Sequence, residues 1–347
     1  MKKSILNIVA IVAIACGFAS CGQNQAVALS GAGATFPEPY YTMAFSQYKQ
    51  DKGASVSYGG IGSGGGIRNL KDQVVDFAGS DAFLSDKEMK DIPAVIHVPT
   101  CLGAVVLAYN LNGIEGLRLN GELVADIFAG KVRKWNDARI AALNPSIKLP
   151  DLDIIPVYRS DGSGTTQNFT TYLSAVSASW KEQYGAGKSV NFPVGMAAKG
   201  NPGIAGVIGM TQGTIGYIGS EYALAQHIVM AEIENAAGRF VKPSVESISA
   251  AAKGELPADT RASIVNSSDP DAYPIACMTW LIVYKEQKYA GRSLEKAKAT
   301  KALLQYMLSE QAQSMTSKVN YAPLPAVVVK QSLKNLEQLT YDGKSIN

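Results

Sequence analysis

The stretch from Ile154 to Val176, IIPVYRSDGSGTTQNFTTYLSAV, shows most clearly the pattern from which the fold class is predicted. It opens with a short apolar run, Ile154–Tyr158, and continues into a turn of Ser, Asp, Gly and Thr. After Ser163 the apolar residues Phe169, Leu173 and Val176 recur at helical spacing, so a helix is predicted to follow the strand. Because this order of strand, polar turn and helix recurs along the chain, the sequence predicts an α/β protein with mainly parallel sheets.

The other predicted elements extend this alternation over the whole chain. Further strands are predicted at Ser55–Tyr58, Ile96–Val98, Val105–Tyr109, Ile215–Ile218 and Trp280–Tyr284. A helix is predicted to begin near Pro37, with Thr35 as its N-cap and a buried face made of Tyr41, Ala44, Phe45 and Tyr48. Ser85 and Glu88 have the spacing of a capping box. A short helix through Leu123, Ile127 and Phe128 is predicted to end at Gly130.

The composition excludes several classes of function. The chain has 347 residues, of which 47% are hydrophobic and 18% are charged, and its formal net charge is +3. This length suits about two domains, and a chain this apolar is not disordered. The net charge is too small to indicate a nucleic-acid partner. The two histidines, His97 and His227, lie far apart and no cysteines cluster, so we expect no metal centre.

The N-terminus has the features of an export signal. The pair Lys2-Lys3 precedes the apolar run Ile5–Ala15, and small residues then lead to Cys21. This pattern predicts a signal peptide over residues 1–20. A cysteine after two small residues resembles a bacterial lipobox, which implies that Cys21 is lipidated and holds the protein at the membrane, outside the cytoplasm. Cys16 is a weaker rival, and an uncleaved anchor is disfavoured because the run is shorter than the about 20 residues that span a bilayer.

Two further cysteines, Cys101 and Cys277, lie in apolar strand-like stretches. Outside the cytoplasm such a pair can oxidise if the two strands are neighbours. Two buried thiols that pack as small apolar groups fit the sequence equally well. The sequence leaves both interpretations open.

Four segments are rich in small and polar residues, and three of them combine glycine with Ser or Thr. They are Gly31–Phe36, Gly59–Gly66, Ser80–Ala82 and Arg159–Thr166, and three of them stand just ahead of a helical pattern. Glycine lets the backbone turn sharply and lets a ligand approach, while the N–H groups and the dipole of a helix start attract anions. Several such segments in one chain, one of them beginning with an arginine, predict an oxyanion-binding site.

Two other functions fit these segments less well. Residues 60–65 match GxGxxG, with Asp81 at the distance of a ribose-binding acid, but an exported protein meets little nicotinamide cofactor. No Walker lysine follows these glycines, so a P-loop is not predicted. A hydrolase is disfavoured because neither Ser63 nor Ser163 fits GxSxG and neither histidine stands in a motif that would make it a base. Binding without catalysis is the simpler interpretation.

Several motifs, in the same order and at similar spacing, resemble those of the periplasmic phosphate-binding proteins of phosphate-specific ABC transporters. They are GAGATFP (31–37), GIGSGG (60–65), VDFAGSD (75–81), IFAGK (127–131) with KWND (134–137), RSDGSGT (159–165) and GTIGY (213–217). This resemblance implies the type II periplasmic binding protein fold, in which each of two lobes is a mainly parallel sheet flanked by helices and the ligand lies between them. It also implies the lobe boundaries, with lobe I formed by residues 27–107 and 275–347 and lobe II by residues 108–274.

The same resemblance implies a role for individual residues. Phosphate would be bound from lobe I by Thr35, Phe36, Ser63 and Asp81, and from lobe II by Arg159, Ser163, Gly164 and Thr165. Asp161 is similar in place to an acid that steadies the arginine. An ionised Asp81 would accept the proton that phosphate still carries at neutral pH, whereas sulfate has no proton to offer and would be rejected.

The resemblance therefore implies a receptor that binds inorganic phosphate outside the cytoplasmic membrane and delivers it to an ABC permease. It implies no catalytic residue, no cofactor and no metal. Two alternatives stay open, namely a receptor for another protonated oxyanion such as arsenate, and an exported phosphate-ester hydrolase.

Overall fold

The computed structural model describes residues 27–254 and 256–346. The predicted signal peptide and Cys21 lie outside the described residues. Within these ranges no helix combines the length and the apolar character needed to cross a membrane.

The chain alternates strands and helices as expected. The strands are β1 (Leu29–Gly33), β2 (Val56–Gly60), β3 (Phe77–Ser80), β4 (Val95–Tyr109), β5 (Arg118–Leu119), β6 (Ile155–Arg159), β7 (Met196–Ala198), β8 (Thr214–Gly219), β9 (Val229–Met230), β10 (Glu232–Glu234), β11 (Phe240–Val241), β12 (Ala276–Tyr284), β13 (Thr340–Tyr341) and β14 (Lys344–Ser345). The helices are α1 (Glu38–Lys52), α2 (Ser63–Lys71), α3 (Asp86–Lys90), α4 (Gly121–Phe128), α5 (Ala138–Leu143), α6 (Gly164–Val176), α7 (Ala178–Gln183), α8 (Gly200–Met210), α9 (Ser220–Ala225), α10 (Val245–Ala251), α11 (Leu294–Met307), α12 (Glu310–Met315) and α13 (Ala326–Leu336).

One continuous sheet with the order β2-β1-β3-β12-β4-β8-β6-β7 runs through both lobes. At one end β2, β1 and β3 are parallel and belong to lobe I. At the other end β8, β6 and β7 are parallel and belong to lobe II. The two central strands, β12 and β4, run antiparallel to each other and to their outer neighbours. The expected two-lobe α/β fold is confirmed, and its parallel part is confined to the outer strands of each lobe.

The crossing strand β4 joins the lobes. The sequence predicts two short strands, Ile96–Val98 and Val105–Tyr109, but the structure has one buried strand over Val95–Tyr109. The register of β4 against β12 shifts next to Pro99. Pro99 pairs with Trp280, whereas Cys101, two residues further on, pairs with the adjacent Thr279. A proline has no N–H to give to a ladder, and a bulge accommodates it without ending the strand. The last five residues of β4 pair with β8 of lobe II, and the boundaries at 107/108 and 274/275 stay a prediction.

Local sequence signals account for several helix ends. The capping box of Ser85 and Glu88 is confirmed at α3. The predicted α1 face of Tyr41, Ala44, Phe45 and Tyr48 is buried. The prediction that Thr35 caps α1 is wrong, because α1 begins after Pro37 without a side-chain cap and the Thr35 hydroxyl is used by Asn201 instead. Gly130, with a φ of 72°, follows the end of α4 as predicted.

Candidate functional site

The predicted site residues follow the carboxyl ends of parallel strands. In lobe I, β1, β2 and β3 are adjacent and parallel, so the segments after them, with Thr35, Ser63 and Asp81, meet at one edge of the sheet. In lobe II, β6 leads into the segment from Arg159 to Thr165. The carboxyl edge of parallel strands is where α/β sheets bind ligands. The two edges face each other across the gap between the lobes.

The lobes touch directly at this place. Ser63 Oγ accepts hydrogen bonds from the Asp81 N–H at 3.3 Å and from the Gly164 N–H of lobe II at 3.0 Å. The Gly64 N–H donates to the Gly162 carbonyl oxygen at 2.8 Å. The N-termini of α2 and α6 therefore converge from opposite lobes, and their positive dipole ends favour negative charge between them.

This contact between the lobes requires glycine, because it leaves no space for a Cβ atom. A Cβ atom at Gly164 would lie 2.7 Å from both Ser63 Oγ and Asp81 Cβ. At Gly62, where φ is 86°, a Cβ would lie 2.2 Å from Asp161 Oδ2 of the other lobe. Any side chain at either position would hold the lobes apart.

Arg159 and Asp161 form a buried ion pair with two parallel hydrogen bonds. Arg159 Nε donates to Asp161 Oδ1 at 2.7 Å, and Arg159 Nη2 donates to Asp161 Oδ2 at 2.5 Å. Burial by itself raises the pKa of Asp161, but the hydrogen bonds and charge of Arg159 outweigh it and lower that pKa. Arg159 Nη1 points instead at Thr165 Oγ1, 3.3 Å away. The guanidinium is held by its back edge, which leaves Nη1 directed toward the converging loops.

Asp81 is buried among hydroxyl donors. Its Oδ1 accepts from Thr279 Oγ1 at 3.0 Å and its Oδ2 from Thr165 Oγ1 at 3.4 Å. Burial raises the pKa of Asp81 to about 7, although the hydrogen bond from Thr279 and the charge of Arg159 lower it in part. Near neutral pH this carboxyl is therefore partly protonated, whereas the sequence predicted an ionised carboxylate.

Ser163 caps helix α6 with its side chain. Its Oγ accepts from the Thr166 N–H at 3.1 Å, and its own N–H donates to the Lys188 carbonyl oxygen at 2.8 Å. The hydroxyl hydrogen of Ser163 is therefore still available to donate, whereas its peptide N–H is already used. Arg159 is positioned next to it because its N–H donates to Tyr217 Oη at 3.1 Å, in the aromatic core of lobe II.

Thr35 and Phe36 present backbone donors from lobe I. Both residues are buried, and within the described chain their N–H groups donate to no protein acceptor. The Phe36 ring packs edge-on against Tyr321 at 5.9 Å, and the Tyr321 hydroxyl donates to the Phe36 carbonyl oxygen. These contacts hold the Phe36 peptide in place and leave its N–H without a protein acceptor among the described residues.

The structure thus brings all eight predicted contact residues and Asp161 to one place. It also adds residues that the sequence reasoning missed, namely Asn168, Asn201, Glu221, Tyr222 and Thr279. Asn168 Nδ2 donates to the Asp81 carbonyl oxygen at 2.6 Å, and Tyr222 Oη donates to the Thr35 carbonyl oxygen at 2.5 Å. Glu221 is buried beside the site, and burial raises its pKa to about 8. The segment KGNPG (199–203) carried a usable signal, because it also places glycine and a polar residue at a helix start.

A cavity of about 480 Å³ lies between the lobes, and Asp81 and Asn168 form part of its wall. Phe83, Met278 and Trp280 line its apolar part. Glu88 of lobe I and Lys188 of lobe II also line it, and they form an ion pair at 2.6 Å. This ion pair is a further contact between the lobes.

The histidine and cysteine side chains that could support a metal site or catalysis have other surroundings in the described structure. His97 is buried in β4, where its Nε2 accepts the Leu84 N–H at 3.1 Å, and burial lowers its pKa to about 3. Within the described residues no group of three or more His, Cys, Asp or Glu side chains could hold a metal ion. Cys101 and Cys277 lie on neighbouring strands but diagonally, since Cys101 pairs with Thr279 and Cys277 with Gly103. Both are free, buried thiols.

The structure has two lobes joined by crossing strands, and helix N-termini that favour an anion converge between the lobes. This arrangement defines the class of type II periplasmic binding proteins. The family model of the PBP superfamily domain matches residues 20–311. The chain is 40% identical over 317 residues to the phosphate-binding protein PstS of Xylella fastidiosa (strain 9a5c), covering 90% of this chain and 85% of that protein. It is 37% identical over 332 residues to phosphate-binding protein PstS of Pasteurella multocida (strain Pm70), covering 93% and 94%. The chain belongs to this family of binding proteins.

Solved structures agree on the fold. A putative phosphate ABC transporter substrate-binding protein from Clostridium perfringens, solved with bound phosphate, superposes with a TM-score of 0.65 at 18% identity. The match covers 86% of this chain and all of that one.

Proposed function

We propose that this chain binds inorganic phosphate between its lobes, outside the cytoplasmic membrane, and delivers it to the permease of an ABC transporter. The observation that carries the proposal is the direction of the hydroxyl hydrogen bonds. Ser63 Oγ accepts two N–H groups and Ser163 Oγ accepts one, so each hydroxyl still has its hydrogen to donate. Nη1 of Arg159 lies 3.3 Å from Thr165 Oγ1, and the N–H groups of Thr35 and Phe36 have no protein acceptor within the described chain. A group that offers only donors suits an oxyanion.

The proposed ligands are therefore Thr35, Phe36, Ser63 and Asp81 from lobe I and Arg159, Ser163, Gly164 and Thr165 from lobe II. The Gly164 N–H, which here donates to Ser63, would turn to the anion. Asp161 would hold Arg159 in place. Aimed donors in a buried site stabilise an anion without a basic surface, in keeping with the net charge of +3.

Asp81 is the proposed selectivity residue. One proton shared between its carboxyl and a phosphate oxygen makes a short hydrogen bond, whichever of the two groups carried it. Sulfate carries no proton at this pH, so its oxygens and those of an ionised Asp81 would all be hydrogen-bond acceptors and would repel each other. The same mechanism admits arsenate, which is also protonated.

Isothermal titration tests this function. We expect one phosphate per chain, arsenate as a competitor and about tenfold or more weaker sulfate binding at pH 8, because sulfate requires a protonated Asp81 and the pKa of that carboxyl is about 7. Absence of phosphate binding would contradict the proposal. An aryl phosphate assay is expected to show no turnover, and sustained hydrolysis would favour the hydrolase alternative.

Location and delivery need separate tests. Lipidation at Cys21 predicts that the protein fractionates with membranes and that Cys21→Ser releases it, while a Cys21→Ser protein that stays membrane-bound would contradict the anchor. Delivery predicts that the chain restores phosphate uptake in cells that have the permease but lack a binding protein.

A further inference from the structure

Asn201 of lobe II is buried against Thr35 of lobe I. It is the second residue of α8 and is fully buried. Its N–H lies 3.1 Å from Thr35 Oγ1 and its Nδ2 lies 2.9 Å from the same atom. A longer contact of 3.4 Å joins Nδ2 to Thr165 Oγ1. One asparagine thus contacts proposed phosphate ligands of both lobes.

The orientation of the Asn201 amide is fixed by its surroundings. Its Oδ1 accepts the Gly219 N–H at 3.0 Å, at the end of β8. A flipped amide would set Nδ2 against that N–H, donor against donor, and Oδ1 against Thr35. Nδ2 must therefore face the Thr35 hydroxyl.

The two bonds decide what the Thr35 hydroxyl can do. A hydroxyl oxygen has two acceptor sites and one hydrogen. Asn201 fills both acceptor sites, so the hydrogen of Thr35 can only be donated, and it points away from Asn201. When the lobes separate, Asn201 moves away with lobe II and the Thr35 hydroxyl is free to rotate.

We propose that Asn201 is a positioning residue that, on closure of the lobes, fixes the Thr35 hydroxyl as a donor to the anion. This inference rests on the proposed function, because it takes the anion to be phosphate. The interaction exists only between closed lobes, so its loss should speed dissociation of phosphate and leave association nearly unchanged.

A double-mutant cycle separates this role from a structural one. The variants are Asn201→Ala, Thr35→Val and the two together, and phosphate binding is followed by titration and stopped flow. We expect Asn201→Ala to weaken binding about 10- to 100-fold, the range of a hydrogen bond to a charged group, with most of the change in the dissociation rate. In the Thr35→Val background the same change should cost less than about threefold, because the hydroxyl it acts through is gone.

Asn110→Ala is the matched control. Asn110 Nδ2 donates to the Ile208 carbonyl oxygen at 2.7 Å, so this asparagine supports the other end of α8. It should leave phosphate affinity within about twofold. If Asn201→Ala destabilises the protein, Asn201→Ser, which keeps the helix backbone and a short polar group, replaces it in the cycle.

The outcomes are distinct. Equal losses from Asn201→Ala with and without the Thr35 hydroxyl, or a loss with Asn110→Ala as large as with Asn201→Ala, would overturn the positioning role while leaving phosphate binding intact. A wild-type protein that does not bind phosphate would overturn the proposed function and this inference with it.

Discussion

Lys188 of lobe II and Glu88 of lobe I form an ion pair with Nζ 2.6 Å from Oε1, beside the cavity next to Asp81. The backbone carbonyl of the same lysine accepts the Ser163 N–H at 2.8 Å. Lys188 therefore connects a contact between the lobes with the first turn of α6, where half of the proposed anion site is formed.

Lys188→Met should speed the release of phosphate. It keeps the stem and the backbone carbonyl but removes the ion pair, which is partly exposed and worth up to about 1 kcal/mol. We expect stopped-flow dissociation to be about two- to fivefold faster, with association within twofold. Lys181→Met, at an exposed position of lobe II, serves as the control for charge. Unchanged or slower dissociation would contradict a role for the pair in holding the lobes together.

Arg159→Ala should cost more affinity than other single changes at the site. It removes a buried charged donor to the anion and leaves Asp161 without its cation, which we expect to cost about 3–5 kcal/mol of binding free energy, or about 10²- to 10⁴-fold in Kd. Arg133→Ala, at an exposed position of lobe II, makes the same change in net charge and should have little effect. Titration checks both variants, and tight binding by Arg159→Ala would remove lobe II from the proposed site.

Sulfate binding should depend on pH because of Asp81. With a pKa of about 7, Asp81 is mostly ionised at pH 8 and mostly protonated at pH 6. A protonated Asp81 can donate to sulfate, so the apparent sulfate affinity should rise about tenfold from pH 8 to pH 6, in proportion to the protonated fraction. Titrations at the two pH values measure this change.

The variant Asp81→Asn tests whether Asp81 is the group responsible for this pH dependence. An amide donates at every pH, so this variant should bind sulfate more tightly than the wild type at pH 8 and lose the pH dependence. If Asp81→Asn keeps the wild-type preference for phosphate over sulfate, selectivity resides elsewhere.

Glu221 should make the protein less stable as pH rises. Its pKa is raised from 4.5 to about 8 by burial, so the folded state binds more protons than the unfolded state between these values. The free energy of unfolding should therefore fall with increasing pH across this window, by up to about 1.4 kcal/mol per unit for one group. Asp81 adds a change of the same sign between pH 3.8 and about 7.

Glu221→Gln should flatten that dependence, which urea unfolding at pH 5 and pH 8 would show. The exposed Glu122→Gln of helix α4 is the control and should keep the wild-type slope. Identical slopes for wild type and Glu221→Gln would mean that Glu221 is not the group responsible.

Local patterns predicted much of this structure. Helix starts such as Ser85 and Ser163 were readable because a cap is set by residues a few positions apart. The motifs around Thr35, Ser63, Asp81 and Arg159 were readable because glycines and hydroxyls cluster within each segment. These motifs are brought together by the parallel pairing of β1, β2 and β3 and by the crossing strand β4. Both depend on contacts between residues that are far apart in the sequence.

The errors have the same cause. Thr35 looked like a helix cap because Pro37 follows it, but a residue 166 positions away, Asn201, takes its hydroxyl. The sequence analysis predicted two separate strands, Ile96–Val98 and Val105–Tyr109, but a bulge next to Pro99 lets one strand run through both. The raised pKa of Asp81 depends on burial between lobes, which no single segment encodes.

A crystal structure with phosphate bound would show whether Asp81 shares a proton with the ion. We expect one phosphate between the lobes, with an Asp81 carboxyl oxygen about 2.5–2.7 Å from a phosphate oxygen, as in a charge-assisted O–H···O bond, and with Arg159 Nη1 on the same ion. A phosphate bound elsewhere, or one contacted only by N–H and O–H donors with the Asp81 carboxyl turned away, would contradict it.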